Sequence, residues 1–347
     1  MKLSVLDLVP VRDGQTSSQA VSATLSQAQT AERLGFERYW LAEHHNMPSV
    51  ASTNPAVLIA LVAAHTERIR VGSGGVMLPN HSSLVVAEQF ALLEAAAPGR
   101  IDLGIGRAPG SDPVITAFLT QSGTTQSVDR FPQSVQDVLA MLTTEGVSVR
   151  VSSGPDYELR ATPVAETQPV VWLLGSSDYS ARLAGELGLP YVFANHFAGA
   201  GMARALELYR STFRPSGYIA VPQTFLTANV VVAEGEGEAR RLALPQLLQF
   251  ARMRLGKRVR TIPLVDDVHE GDLTEDERVL VARIAENWVL DEPTAAWERL
   301  SALAEQHRVD EVMVSPSAGA RRSDPLDRVP ARERTLELLS GRARAVR

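Results

Sequence analysis

Two adjacent histidines behind a glutamate, Glu43-His44-His45, end an apolar run that starts at Tyr39. An imidazole titrates near neutral pH and can act as general base, general acid or hydrogen-bond donor. Successive residues leaving a strand point opposite ways. One ring is therefore expected to face a site and the other the wall, with His44 the catalytic candidate. Two other readings stay open: a pair of hydrogen-bonded loop histidines, or a metal site completed by Glu43. No His-x-His occurs, and His65, His81, His196, His269 and His307 are scattered. No metal ligand set is assigned. His81 and His196 follow strand-like runs and join His45 as pocket candidates.

Three further stretches carry chemistry. In Val71-Gly72-Ser73-Gly74-Gly75-Val76-Met77-Leu78 the central glycines weaken a strand unless something needs the room. They suit a bulge, a strained or non-trans peptide, a close-packed flat ligand, or a crowding neighbour strand. In Gly104-Ile105-Gly106-Arg107-Ala108-Pro109-Gly110 a proline stands where the dinucleotide fingerprint needs its third glycine, which rejects a nicotinamide Rossmann site. Arg107 follows a strand end and suits a phosphate or a surface ion pair. In Leu174-Gly175-Ser176-Ser177 a strand delivers glycine and two hydroxyls to a helix start, which is either an anion site or a plain serine cap. Taken together, Gly74, Gly75, Arg107, Gly175, Ser176 and Ser177 describe a flat ligand with a phosphate tail, and flavin mononucleotide (FMN) fits.

These residues need strand ends to carry them. Strand patterns cover residues 3–10, 36–42, 69–78, 101–106, 170–174, 190–194, 224–233 and 311–315, with helical periodicity between them. Helices are expected at 19–34, 54–66, 83–97, 131–144, 179–187, 201–213, 236–255, 274–289, 293–307 and 332–339. Eight strands, each followed by helical sequence, point to a single α/β domain over 1–347. The architecture expected is a (β/α)8 TIM barrel with insertions after strand 4 (about 107–168) and after strand 7 (about 256–273). An open doubly wound sheet would read similarly. Both folds place ligands at the carboxyl ends of their strands, where His44, Arg107 and Ser176 fall.

The composition is that of a globular protein: 347 residues, 45% hydrophobic, Lys+Arg 34 against Asp+Glu 40. A net charge of −6 gives no reason to expect nucleic acid or an anionic membrane as partner. The absence of cysteine excludes disulfides, thiolate metal sites and a cysteine nucleophile. No apolar run reaches the roughly 20 residues that span a bilayer, and an acid at Asp7 comes too early for a signal peptide, so a cytoplasmic protein is expected. The stretches at 54–66 and 83–97 are more apolar than one core-facing stripe requires, which predicts a homodimer built on them.

The chain resembles the luciferase-like monooxygenase family, flavin-dependent barrels that include the bacterial luciferase α subunit. The resemblance rests on Trp40-Leu41-Ala42-Glu43-His44-His45, Asn54-Pro55, the run from Arg70 to His81, Ala87-Glu88-Gln89, Pro98 to Arg107, and Leu174-Gly175-Ser176-Ser177, in family order. It implies a barrel that uses reduced FMN and O2 to put one oxygen atom into a small organic substrate. It implies a catalytic histidine at His44 and a non-proline cis peptide at Gly74-Gly75 beneath the flavin ring. It also implies phosphate contacts from Arg107 and Ser176, with Arg130 matching a second phosphate arginine. Luciferase has a cysteine where this chain has Gly106, which argues against a light-emitting role. Its mobile loop corresponds by position to 257–272. With no nicotinamide fingerprint, a separate flavin reductase is expected to supply FMNH2. Two alternatives stand beside this reading: a deazaflavin (F420)-dependent dehydrogenase of the same superfamily, and a flavin-binding protein without turnover.

Overall fold

The strand segments join edge to edge into a closed ring. The computed structural model describes residues 1–108, 113–121, 128–150, 154–194 and 201–345. In chain order its strands are β1 (Lys2–Asp7), β2 (Arg38–Leu41), β3 (Arg70–Ser73), β4 (Val76–Met77), β5 (Ile101–Gly106), β6 (Val147–Val149), β7 (Tyr157–Leu159), β8 (Val170–Gly175), β9 (Tyr191–Phe193), β10 (Thr224–Val232), β11 (Val289–Asp291) and β12 (Glu311–Pro316). Parallel ladders run from β1 to β2 to β3, from β3 and β4 to β5, then through β8, β9, β10 and β12 back to β1. The β9–β10 ladder closes the ring, so the fold is the (β/α)8 barrel and not the open sheet. No helix among the described residues is long and apolar enough to cross a membrane.

Local sequence sets the helix ends. The first helix, Ser17–Leu34, opens on a Thr16–Gln19 capping box and stops at Gly35, whose φ of 83° is left-handed. In the next, Pro55–Ala64, the Asn54 side chain accepts from the Val57 amide and proline occupies the first turn.

The boundaries depart from expectation in three places. Residues 69–78 do not form one strand, because a cis peptide between Gly74 and Gly75 separates β3 from β4. This meets the expectation of a non-trans peptide there. The helix expected over 274–289 is Glu275–Ala285, and Val289 and Leu290 instead join β11, paired with Val230 and Val231. Their apolar side chains continue a helical stripe in the sequence, but β10 outruns β9 and leaves an edge that β11 fills. Finally, the insertion after β5 is partly frame: its helix Phe131–Met141 packs on the helix Ser83–Ala96 and on Leu78–Asn80. The antiparallel β6–β7 hairpin is the true addition.

The barrel interior is filled in layers. Leu6, Trp40, Ala42, Trp172, Leu174, Val192, Phe225 and Met313 form its apolar middle. Below them the Arg38 guanidinium makes two hydrogen bonds to Glu311 (2.7 and 3.0 Å) and one to Asp102 (2.8 Å). Asp102 also accepts from the Trp40 indole (2.9 Å) and from Arg70 (2.6 and 3.0 Å). The Arg38 guanidinium lies over the rings of Trp172, Phe225 and Trp40, at 5.1, 5.4 and 5.9 Å. Burial alone would lower Arg38, but Asp102 and Glu311 raise it well above its ordinary value. The charged floor leaves the opposite, carboxyl-terminal mouth as the place for chemistry.

Candidate active site

At that mouth β2 runs into Glu43, His44 and His45. Glu43 is 1% exposed. Its Oε1 meets Nε2 of both His45 (2.9 Å) and His81 (2.7 Å), and its Oε2 accepts from the Met77 amide (2.9 Å). The carboxylate thus ties the β2 exit to β4, directly beyond the cis Gly74–Gly75 peptide. Burial pushes the Glu43 carboxyl up, but the hydrogen bonds from His45, His81 and Met77 outweigh it and hold it down to about 2. Its two imidazoles are hydrogen-bonded partners of one oxygen. Among the described residues no group of three or more His, Asp or Glu side chains is arranged to hold a metal ion.

His44 and His45 do not divide between site and wall. Both line a cavity of about 810 Å³, and Glu43 is the residue turned inward. The His44 amide bonds to the Ser52 carbonyl at 2.9 Å. Burial depresses His44 below its usual value; Glu43 opposes that and His45 adds to it. A neutral imidazole at neutral pH is the consequence, ready to accept a proton or a hydrogen bond. His81 does not line this cavity and stands across Glu43 from His45. His196 lies outside the described residues, as do residues 109–112.

The glycines are demanded by the protein itself. A Cβ at Gly74 would stand 2.6 Å from Leu6 Cδ1, and one at Gly75 2.8 Å from the Gly104 carbonyl oxygen. Gly106 has open space, its nearest atom 3.9 Å away. At Gly175 a Cβ would lie 2.3 Å from Ser180 Oγ, so glycine lets β8 deliver the chain tightly into the helix Asp178–Leu187.

That helix start and Arg107 converge. The Arg107 guanidinium lies 4.2 Å from the ring centroid of Tyr179, in the helix's first turn. The Ser177 N-cap side chain makes no capping bond, and Ser176 and Ser177 are exposed, so no serine side chain caps the first-turn amides. Asp178, the acid in that turn, pairs with Arg204 at 2.6 Å. An open helix N-terminus beside a stacked guanidinium suits an anion such as a phosphate. Arg130 is exposed, in the turn before the helix Phe131–Met141.

A profile of the family described as luciferase-like monooxygenase matches residues 1–315. The chain belongs to the luciferase-like monooxygenase family. It is 38% identical over 312 residues to an Escherichia coli (strain K12) protein named luciferase-like monooxygenase, covering 90% of each chain. It is 40% identical over 313 residues to the Bacillus subtilis (strain 168) protein YvbT, again over 90% of each. The crystal structure of apo-MsnO8 superposes with a TM-score of 0.82 at 32% identity, covering 99% of this chain and 98% of that one. As a luciferase-like monooxygenase the protein is an oxidoreductase of the flavin- and O2-dependent oxygenase class, acting on a small molecule.

The residues that sequence reasoning missed come from frame elements. Asn229 on β10, Gln246, Gln249 and Phe250 on the helix Glu236–Arg254, and Arg332 on the helix Pro330–Ala345 all line the cavity. Residues 256–262 roof it, anchored where the Ile262 amide donates to the Val11 carbonyl at 2.9 Å. A polar residue on one face of a helix reads as solvated until the barrel closes around it, so no local signal marked them.

Glu43 gives a pH prediction. Its folded pKa lies below the ordinary carboxyl value of 4.5, so its stabilisation is complete above that value and is lost as pH falls toward about 2. The loss should be on the order of 3 kcal/mol. Thermal melts between pH 2 and 6 should show a flatter acid limb in Glu43→Gln than in the wild type. An unchanged acid limb would contradict the network.

Proposed function

We propose that this monooxygenase takes reduced FMN as cosubstrate, with the phosphate at Arg107 and the first-turn amides of the helix Asp178–Leu187. The observation that carries this is the approach of Arg107 to Tyr179 above an uncapped helix start. Ser176 and Ser177 would add hydroxyls to the phosphate, and the Gly74–Gly75 peptide would underlie the flat ring. Bound reduced FMN would supply the electrons that activate O2. The chain's own residues would do the rest. His44 would hold or move a proton at its imidazole nitrogen, and Glu43 would fix His45 and the β4 backbone. The roof at 256–262 would keep water out of the cavity, where the substrate would sit.

Arg107→Ala should weaken FMN binding by about 1.5–3 kcal/mol, roughly ten- to a hundredfold. Fluorescence titration of flavin reads this directly, and unchanged affinity would remove Arg107 from the phosphate site.

A separate flavin reductase would deliver FMNH2. The partner surface proposed for a homodimer is the face of helices Pro55–Ala64 and Ser83–Ala96, where Val57, Leu61, Val85 and Leu92 are exposed at 57, 37, 48 and 58%. Light scattering at micromolar concentration should give twice the chain mass, falling to one chain mass in Leu92→Glu. A monomeric wild type would refute the interface.

A further inference from the structure

We propose that the substrate is an organic anion, a carboxylate in the simplest case, whose charge is held by Arg332. The inference rests on the cavity being the substrate site. Arg332 lies in the first turn of the last helix and lines the cavity, yet is only 9% exposed. Its Nε donates to the Ala318 carbonyl at 3.1 Å. Among the described residues the guanidinium has no other hydrogen bond and no ion pair. A buried cation without a close anion is costly, and a buried guanidinium with free donors is built to receive one.

The neighbouring charges do not fill that place. Asp7 attracts Arg332 at longer range, and Arg12 repels it. The Asp7 carboxylate is occupied by neutral donors: Thr24 (2.7 Å), Tyr39 (2.6 Å) and the Val9 amide (2.9 Å). Arg12 is itself pinned to the backbone carbonyls of Arg321, Asp324 and Pro325.

The cavity wall as a whole favours an anion. Its Lys and Arg residues are Lys257, Arg258 and Arg332; its acid is Asp7. Lys257 is paired with Glu277 at 3.0 Å and Arg258 lies on the roof, so Arg332 is the buried cation of the cavity wall, where it also borders a small adjoining pocket of about 20 Å³. This wall stands in a chain of net charge −6. Gln246 adds a second polar point, since its buried Oε1 has no hydrogen-bond partner. Leu6, Met47, Val50, Phe250, Met253 and Val259 supply apolar surface for the rest of the molecule. The geometry thus selects a medium-sized organic acid with an apolar body. The flavin phosphate is assigned to β5 and β8, whereas Arg332 serves the part of the mouth formed by β1, β10 and β12.

The test is calorimetric titration of straight-chain carboxylates, hexanoate to dodecanoate, against their primary amides. It is run on flavin-free and on FMN-loaded protein. The expected result is that acids bind roughly ten- to a hundredfold more tightly than amides in both forms. Arg332→Gln should abolish that preference while leaving FMN affinity unchanged; Arg332→Lys should keep part of it; Arg258→Gln should leave it intact. Equal binding of acids and amides by the wild type overturns the proposal, whatever the variants do. So does absence of binding up to millimolar acid, displacement of the acids by FMN, or loss of the preference in Arg258→Gln instead. FMN affinity is read separately by fluorescence. An acid preference in a protein that binds no flavin would overturn the flavin reading and keep this one.

Discussion

His44→Ala is expected to lower oxygen transfer by about 10²- to 10⁴-fold, the usual contribution of a positioned acid–base group, while FMN affinity stays near that of the wild type. The ring sits at the β2 exit on the cavity wall, away from the Arg107–Tyr179 pair that would hold the phosphate. Its depressed pKa keeps it neutral at neutral pH, so it can accept a proton from the substrate or from reduced oxygen. With the imidazole gone, electrons from the flavin should drain to hydrogen peroxide. Stopped-flow mixing of FMNH2 and O2 with a peroxide assay reads both quantities. His45→Ala is the control. Its ring is held at 2.9 Å by Glu43, so its loss should chiefly raise the Glu43 pKa and lower stability. If His45→Ala raises peroxide release and His44→Ala does not, the catalytic ring has been misassigned.

The second large effect is at the other end of the barrel. Arg38→Ala should destabilise the fold by about 3–5 kcal/mol, because it leaves Glu311 buried without a cation and Asp102 with Arg70 alone. Ser4, which donates to Glu311 at 2.6 Å, and Trp40, which donates to Asp102, cannot replace a charge. Urea unfolding reads the loss, and flavin affinity per folded molecule should be unchanged. A loss under 1 kcal/mol would show that water or rearrangement replaces the pair.

The two ends differ in how they were written in the sequence. The top was legible because its residues are strand-end polar groups interrupting apolar runs: His44, Arg107, Ser176. The glycine pair was legible as a break, and its cis peptide is where the sequence placed the disturbance. The crowding at Gly74 and Gly75 by Leu6 and Gly104 was also one of the readings left open there. The floor was not legible. Arg38, Arg70 and Asp102 lie inside strands and meet only when β2, β3 and β5 come side by side.

Several family-motif residues are thereby explained as scaffolding. Arg70 and Asp102 pair with each other, and Arg100 bonds to the Ile69 and Thr66 carbonyls at 3.1 and 2.9 Å. Arg332 was hidden for the same reason as the floor, since a guanidinium in a final amphipathic helix gives no sign that it faces a cavity. β11 was hidden because Val289 and Leu290 fit a helical stripe equally well, and only the free edge of β10 decides between the two.

In the function proposed above, this flavin-dependent oxygenase would hold FMN by its phosphate beside Arg107. The most direct measurement is a spectral titration of the purified protein with FMN, FMNH2, riboflavin and F420, the reduced flavin under anaerobic conditions. Saturable binding of FMN and FMNH2, with riboflavin weaker by roughly the worth of a charge-assisted phosphate contact, ten- to a hundredfold, is the expected result. Tight binding of F420 without FMN, or riboflavin binding as tightly as FMN, would contradict it.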